Sequence, residues 1–160
     1  MELIQTVTLT SNATSIIFTD IPQDGIELVL RVSGLTDSNA ATGAVQPNGT
    51  SSGYYWARLY SYGTGGFASN AGNNAIMPTS EFAQNIGSWG SQFVRILNYT
   101  STASKKIINK GYATRYGSNS FFGIAAGYGS TGATTSLKFI AYQNKTMLAG
   151  TTASLYKLTQ

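Results

Sequence analysis

The stretch TSIIFTDIPQDGIELVLRV, Thr14 to Val32, consists of two apolar runs joined by a cluster of turn-forming residues. Apolar side chains alternate along each run and β-branched residues are frequent, which is typical of strands that bury one face. Pro22 has no N–H to give to a sheet and is expected outside the centre of any strand. Gly25 is free to adopt positive φ where the chain reverses. We therefore predict strand, corner and strand at the heart of a β-sandwich core.

Similar alternation recurs on both sides of this stretch. It predicts about nine short strands, roughly 8–16 residues apart, and no long helix, although Thr79-Ser80-Glu81 is compatible with one capped helical turn. This spacing favours an all-β fold of one domain over residues 1–160: an antiparallel, jelly-roll-like β-sandwich. The strands predicted outside the opening stretch are Leu3–Thr10, Gly53–Tyr62, Gln92–Tyr99, Lys105–Thr114, Ser120–Gly127, Ser136–Tyr142 and Ala153–Leu158.

Three segments are predicted to lie outside the strands. Residues 36–52 are small and polar, with Pro47-Asn48-Gly49 as a turn signal, and residues 63–74 are rich in Gly and Asn. Both are expected to be long loops, which on β scaffolds tend to be binding elements. Residues 1–5 are expected to form an N-terminal arm.

Composition narrows the classes of function. Only 10% of the 160 residues are charged, and there is no Cys. A surface so poor in charge suits a protein that packs against other proteins, because little charge must be desolvated. The net charge is +4 but the basic residues are scattered, so no nucleic-acid partner is expected. No apolar run approaches the ~20 residues of a membrane helix, and the N-terminus does not resemble a signal peptide, so we expect no membrane partner and synthesis in a cytoplasm.

Catalytic and metal-binding chemistry is sparse. The chain has no His and only six carboxylates, so no histidine base or Ser-His-Asp triad can form, and we expect neither an enzyme nor a cofactor. Asp20, Asp24 and Glu27 are close enough in sequence to gather around a calcium ion. The alternative is that both aspartates are turn formers that bond nearby backbone N–H groups. We favour the alternative and expect no metal.

The segment Gly127 to Gly132 matches the dinucleotide-binding pattern G-x-G-x-x-G. That function requires a helix to begin at the glycines, so that its N-terminus receives the pyrophosphate. The strand-like SLKFIAY follows instead, and no acidic residue follows to bind a ribose. We therefore predict a hairpin loop and not a nucleotide site.

The strand GYYWARLYSY is unusually aromatic. Alternation divides it into two faces, one with Tyr55, Ala57, Leu59 and Ser61. Aromatic side chains favour strands and are frequent in cores and in protein interfaces, but they also stack on sugars and bases. We favour a core or interface, and a glycan or nucleic-acid platform stays open as the alternative. The face considered for either role carries Tyr54, Trp56, Arg58, Tyr60 and Tyr62.

Three stretches together resemble a known family. SIIFTDIPQDGIELVLRVSG resembles the opening of many small virion proteins of tailed bacteriophages, with I-x-F-T-x-I-P followed by a strand like L-V-L. QFVRILNYTSTASKKIINKGY is similar to their middle hairpin, and MLAGTTASLYKLT is similar to their closing strand. Lys157 stands where that strand usually has Gly, and Met147 where it usually has Phe. The resemblance implies a jelly-roll-like sandwich in a virion and carries over no active-site residue.

From this resemblance we expect a non-enzymatic capsid decoration (cement) protein on the exterior of the virion. Its expected partners are the major capsid protein and sister copies, in a homotrimer. The alternative is a tail-fibre or receptor-binding module that recognises a host surface glycan. The residues expected at the interface are Met1, Glu2, Asn39, Thr42, Pro47, Asn48, Tyr54, Trp56, Arg58 and Tyr60.

Overall fold

The computed structural model contains only strands and their connections in the part of the chain that it describes. The described residues form twelve strands, where the sequence predicts about nine. The structure describes residues 1–37, 41–62, 67–74, 77–81, 90–115, 119–129, 131–142 and 145–160. The strands are β1 (Glu2–Thr8), β2 (Ser15–Phe18), β3 (Glu27–Gly34), β4 (Thr42–Pro47), β5 (Tyr54–Tyr62), β6 (Phe67–Asn74), β7 (Met77–Glu81), β8 (Gly90–Leu97), β9 (Lys105–Arg115), β10 (Asn119–Gly129), β11 (Leu137–Ala141) and β12 (Thr152–Leu158).

The strands form two antiparallel sheets that pack face to face. The larger sheet has eight strands in the order β1-β12-β3-β8-β9-β10-β5-β6, and the smaller has four in the order β2-β11-β4-β7. The antiparallel β-sandwich predicted from the sequence is therefore confirmed. Among the described residues, no helix is long and apolar enough to cross a membrane.

The pairing follows the scheme of a jelly roll. β1 pairs with β12, β2 with β11, β3 with β8 and β4 with β7, as in one long hairpin. The hairpin is then rolled up, because β12 also pairs with β3 and β11 with β4. Two further hairpins, β5–β6 and β9–β10, extend the larger sheet beyond this eight-stranded roll. The extension widens one face of the sandwich, and that face positions the candidate site.

The opening stretch forms the predicted corner, since β2 and β3 lie in different sheets. Phe18 and Leu28, on its two sides, are fully buried. Pro22 lies in the corner, as expected. The role predicted for Gly25 is wrong: Asp20 takes the positive φ, of 54°, and Gly25 is not among the positive-φ residues. Gly25 is needed for space, because a Cβ there would lie 2.8 Å from the carbonyl oxygen of Leu158.

Three segments predicted to lack strands contain them. β4 occupies part of residues 36–52, and Ala44 and Val45 within it are fully buried. β6 lies within residues 63–74 and pairs along its whole length with β5. Residues 1–5 are no free arm, because β1 begins at Glu2 and pairs with β12. Thr79-Ser80-Glu81 ends strand β7 and is not a helical turn. In each case pairing with a neighbour decides the structure of a segment whose own sequence is ambiguous.

Candidate interaction surface

The outer face of the larger sheet is defined by the alternation along β3. Leu28, Leu30 and Val32 point into the sandwich and are buried, so Val29 and Arg31 point outward. The register carries this outer face across the sheet, from Val29 to Arg95 of β8 and on to Ile108 of β9. Every strand from β12 to β6 thus contributes to one continuous surface.

This outer face is unusually apolar for a sheet surface that faces solvent. Ile108 and Ile124 are 40% and 41% exposed, and Leu59, the cross-strand partner of Ile124, is 40% exposed. Tyr55 and Tyr128 are also cross-strand partners, and their rings stack with centroids 5.2 Å apart. Antiparallel sheets with one solvated face normally carry polar side chains there. A contiguous exposed apolar set of this kind marks an interaction site.

A groove runs along this face beside Ile124. Its volume is about 500 Å³, which falls within the ~300–1,000 Å³ of typical binding pockets. Met1 and Leu158 contribute to its lining. The remaining walls and floor come from Val29, Phe93, Arg95, Ile108, Lys110 and Ile124, together with Glu27 and Asn109.

Charged groups frame the groove. Arg95 donates two hydrogen bonds to the Glu27 carboxylate, one of them 2.6 Å from Nη2 to Oε2, and this pairing raises the pKa of Arg95. The Lys110 ammonium lies 5.2 Å from the centroid of the Phe93 ring, and the Cζ atom of Arg31 lies 5.7 Å from the same centroid. Arg31 also stacks over Tyr156, at 5.8 Å. The groove therefore has an apolar floor with cations at its rim.

The aromatic face expected to bind a partner points inward. Tyr54 is fully buried, and desolvation raises its pKa to about 12. Trp56 packs against the core cluster. Arg58 lies between the rings of Trp56 and Tyr60, 5.9 Å and 4.9 Å from their centroids, and all three are half-buried. The exposed face of β5 is the other one, with Tyr55 and Leu59. Alternation separates two faces of a strand but does not say which one faces the second sheet.

The other residues expected at the interface are dispersed. Met1 is 65% exposed and lines the groove, whereas the Glu2 carboxylate lies 3.4 Å from the Lys157 ammonium. Thr42 begins β4 and Pro47, which ends it, is buried. Asn39 lies outside the described residues.

Asn48 has an intramolecular role. Its Oδ1 accepts hydrogen bonds from the backbone N–H groups of Thr135 and Ser136, at 2.9 and 3.1 Å, and its Nδ2 donates to the carbonyl of Ala133 at 2.8 Å. The residue adopts a φ of 52°, which Asn tolerates better than most residues. Asn48 therefore fastens the turn after β4 to the connection that leads into β11.

The carboxylates considered for calcium do not come together. Asp24 pairs with Lys157, at 2.6 Å, whereas Glu27 pairs with Arg95 on the outer sheet face. Within the described residues, no group of three or more potential ligands is close enough to hold a metal ion. Both Asp20 and Asp24 lie in the corner between β2 and β3.

The G-x-G-x-x-G segment is no helix N-terminus. Gly127 and Gly129 lie within β10, and the next element is strand β11. β10 and β11 belong to different sheets, so the segment leads from one sheet to the other and the predicted hairpin loop is wrong. Gly129 is required for close packing, since a Cβ there would lie 2.5 Å from the Tyr54 ring.

The Asp24–Lys157 pair makes stability depend on pH at both extremes. Hydrogen bonding to Lys157 lowers the pKa of Asp24 below its ordinary 3.8, and the bond to Asp24 raises the pKa of Lys157 above its ordinary 10.5. A carboxylate with a lowered pKa in the folded state stabilises the fold at pH values above the pKa of the unfolded state. This stabilisation is lost as the pH falls through the pKa of the folded state. A lysine with a raised pKa in the folded state stabilises the fold at pH values below the pKa of the unfolded state. This stabilisation is lost as the pH rises through the pKa of the folded state.

We therefore expect Asp24→Asn to flatten the dependence of the melting temperature on pH below pH 4 and above pH 10. Thermal unfolding followed by circular dichroism across this range measures the effect. Asp37→Asn is the matched control, since that carboxylate accepts a hydrogen bond from the Thr146 backbone and forms no ion pair with a lysine among the described residues. If Asp24→Asn shows the same dependence of melting temperature on pH as the wild type, the Asp24–Lys157 pair is not its cause.

The fold is a jelly-roll sandwich, and the outer surface of its larger sheet combines exposed apolar side chains with basic side chains around them.

No protein-family model matches the chain, and no curated protein matches it. Among solved structures it is similar to the crystal structure of a protein of unknown function, SO2946 from Shewanella oneidensis MR-1. That similarity has 9% identity and a TM-score of 0.31, and it covers 96% of this chain and 78% of the other. A similarity at this level does not define a shared fold.

Proposed function

We propose that this chain is a non-enzymatic virion structural protein, a capsid decoration (cement) protein that binds the shell from outside. The observation that supports the proposal is the apolar outer face of the larger sheet, where five large apolar side chains on neighbouring strands are 40–51% exposed. They are Tyr55, Leu59, Ile108, Ile124 and Tyr128. Burying such side chains against a partner releases about 25 cal/mol for each Å² removed from water.

The jelly-roll pairing and the sequence resemblance to small virion proteins of tailed bacteriophages point in the same direction. The hairpins β5–β6 and β9–β10 extend the larger sheet beyond the eight strands of the roll, and four of the five exposed side chains lie on β5 and β10. Sister copies in a homotrimer on the capsid exterior, made in the host cytoplasm, belong to the same proposal.

A second candidate rests on the stacked pair Tyr55 and Tyr128, which are 48% and 51% exposed. Exposed aromatic rings with a polar tip can pack against the apolar faces of sugars. This pair therefore favours, as the alternative, a tail-fibre or receptor-binding module that binds a host surface glycan.

Deleting the gene and adding back purified protein tests both candidates. For a decoration protein we expect heads without the chain to break at a lower temperature, and added wild-type protein to restore occupancy and heat resistance. For a receptor-binding module, heads should be unchanged, and Tyr55→Ala with Tyr128→Ala should abolish adsorption to host cells. If mass spectrometry finds that virions made with the intact gene do not contain the chain, both candidates are refuted.

A further inference from the structure

The groove beside Ile124 carries an excess of positive charge. On the outer face of the described strands of the larger sheet, four side chains are basic, and Glu27 is the one acidic side chain. Glu27 is already paired with Arg95. Within the described part of the chain, no ion pair involves the other three basic residues, which are Arg31, Lys106 and Lys110. The face therefore presents uncompensated positive charge around apolar side chains.

A second copy of the chain is a poor occupant of this face. Two copies docked through the same face would bring Arg31, Lys106 and Lys110 of one close to the same cations of the other. Like charges held close together at an interface cost several kcal/mol. Charge complementarity thus requires a partner that is acidic where this face is basic.

Nucleic acid would also be negatively charged, but the aromatic ring that lines the groove, Phe93, is already covered by cations. Arg31 and Lys110 both lie over the Phe93 ring, and Arg31 lies over Tyr156 as well. Bases that stack on a protein need open aromatic faces. The groove lining also includes the aliphatic side chains of Val29, Ile108 and Ile124, which suit an apolar side chain of a protein.

We propose that the groove binds an apolar side chain of an acidic protein segment, with flanking carboxylates of that segment paired to Lys110, Arg31 and Lys106. Lys110 is the cross-strand neighbour of both Phe93 and Ile124, so a carboxylate next to the inserted side chain meets it at the groove rim. This inference depends on the proposed function in one respect only, which is that the partner is the shell protein. The chemistry of the groove stands independently of it.

The probe is a synthetic peptide of five residues with a central phenylalanine and two aspartates or glutamates on each side. Titration followed by ¹H–¹⁵N NMR should shift the amides of Ile108, Lys110 and Ile124, and affinity should fall as salt rises, because exposed charge pairs are screened. We expect about tenfold weaker binding, equivalent to roughly 1.4 kcal/mol, when the phenylalanine is replaced by serine or the acids by lysines.

Equal binding of the lysine peptide would overturn the proposal, as would shifts confined to the smaller sheet. A 20-base-pair DNA duplex serves as the second probe. Tighter binding of the duplex than of the acidic peptide at equal salt would also overturn the proposal and indicate a nucleic-acid surface.

Two double variants isolate the face. Lys110→Glu with Ile124→Ser should weaken peptide binding at least about tenfold, while the melting temperature stays close to that of the wild type. Lys138→Glu with Ile17→Ser makes the same changes on the smaller sheet, where Ile17 is 53% exposed and pairs with Lys138, and should leave binding unchanged. Equal losses in both variants would refute a specific groove.

Head occupancy separates this inference from the proposed function. If purified heads take up the Lys110→Glu, Ile124→Ser variant as well as the wild type, the chain is a decoration protein, and the assignment of the shell protein as the partner of the groove is wrong. If heads take up neither protein while the acidic peptide still binds the wild type at the groove, the inference holds and the shell is not the partner.

Discussion

Replacing Phe18 by alanine is expected to destabilise the fold by about 3–5 kcal/mol, the usual cost of removing a buried phenyl ring. Phe18 is fully buried, although it lies on β2, an edge strand of the smaller sheet. It belongs to the same core cluster as Leu137, its cross-strand partner, and Phe139. In a domain of this size the loss should lower the melting temperature by about 6–20 °C. Urea unfolding at constant slope measures the free energy of unfolding directly.

Ile17→Ala is the matched control for this prediction. Ile17 is the preceding residue on the same strand, but its side chain points outward and is 53% exposed. Its truncation should cost no more than about 1 kcal/mol, mostly through the lower strand preference of alanine. If both variants lose the same free energy, burial at β2 does not contribute what the structure implies, and the corner is not anchored by Phe18.

The opening stretch shows why part of this fold was predictable. Apolar side chains stand at every second position on both sides of a Pro- and Gly-containing corner and are buried there, so local pattern and final structure agree. The same agreement made β8 and β12 predictable. Where apolar residues alternate clearly along a segment, the segment forms a strand whichever neighbour it pairs with, and the neighbour only sets the register of the pairing.

β4 and β6 could not be predicted because their own sequences lack that pattern. β4 contains Gly43, where a Cβ would collide with the Thr79 and Gln92 side chains, so the absence of a side chain is required by close packing. β6, FASNAGNN, contains several poor strand formers and becomes a strand through its pairing with β5. Packing of neighbouring elements decides both cases, and no single-segment signal reports it.

The candidate surface was hidden for a related reason. Tyr55 and Tyr128 are 73 positions apart and meet only through the register of β5 and β10. The alternation of β5 indicated two faces correctly, but the more aromatic face, with Tyr54, turned out to be the buried one. The outward pattern Tyr55, Ala57, Leu59 was the available signal, since a strand with apolar residues on both faces must bury one and present the other.

The second large effect is expected at Tyr99, which ties three parts of the fold together. The residue is fully buried; its hydroxyl accepts a hydrogen bond from the Gly25 N–H at 3.1 Å and donates one to the Pro22 carbonyl. Its own carbonyl accepts from the Thr134 N–H at 2.7 Å. Tyr99 therefore links the end of β8 to the β2–β3 corner and to the connection that precedes β11.

Tyr99→Ala should cost about 3–5 kcal/mol, because both the ring and the hydroxyl are lost. Tyr99→Phe keeps the ring and leaves the corner groups without their partner, which should cost about 1–3 kcal/mol. Desolvation also raises the pKa of Tyr99 above its ordinary value of 10.0. An unfolded tyrosine therefore ionises first, so wild-type stability should fall as pH rises above 10, and Tyr99→Phe should lose that part of the decline.

Tyr55→Phe controls for the loss of a tyrosine hydroxyl at an exposed position, and its stability should match the wild type within about 0.5 kcal/mol. The decisive comparison is between the two Tyr99 variants. If Tyr99→Phe is as stable as the wild type while Tyr99→Ala is not, ring packing alone holds the corner. A loss in both, with the phenylalanine variant intermediate and its alkaline decline reduced, assigns the difference to the hydroxyl and its two bonds across the β2–β3 corner.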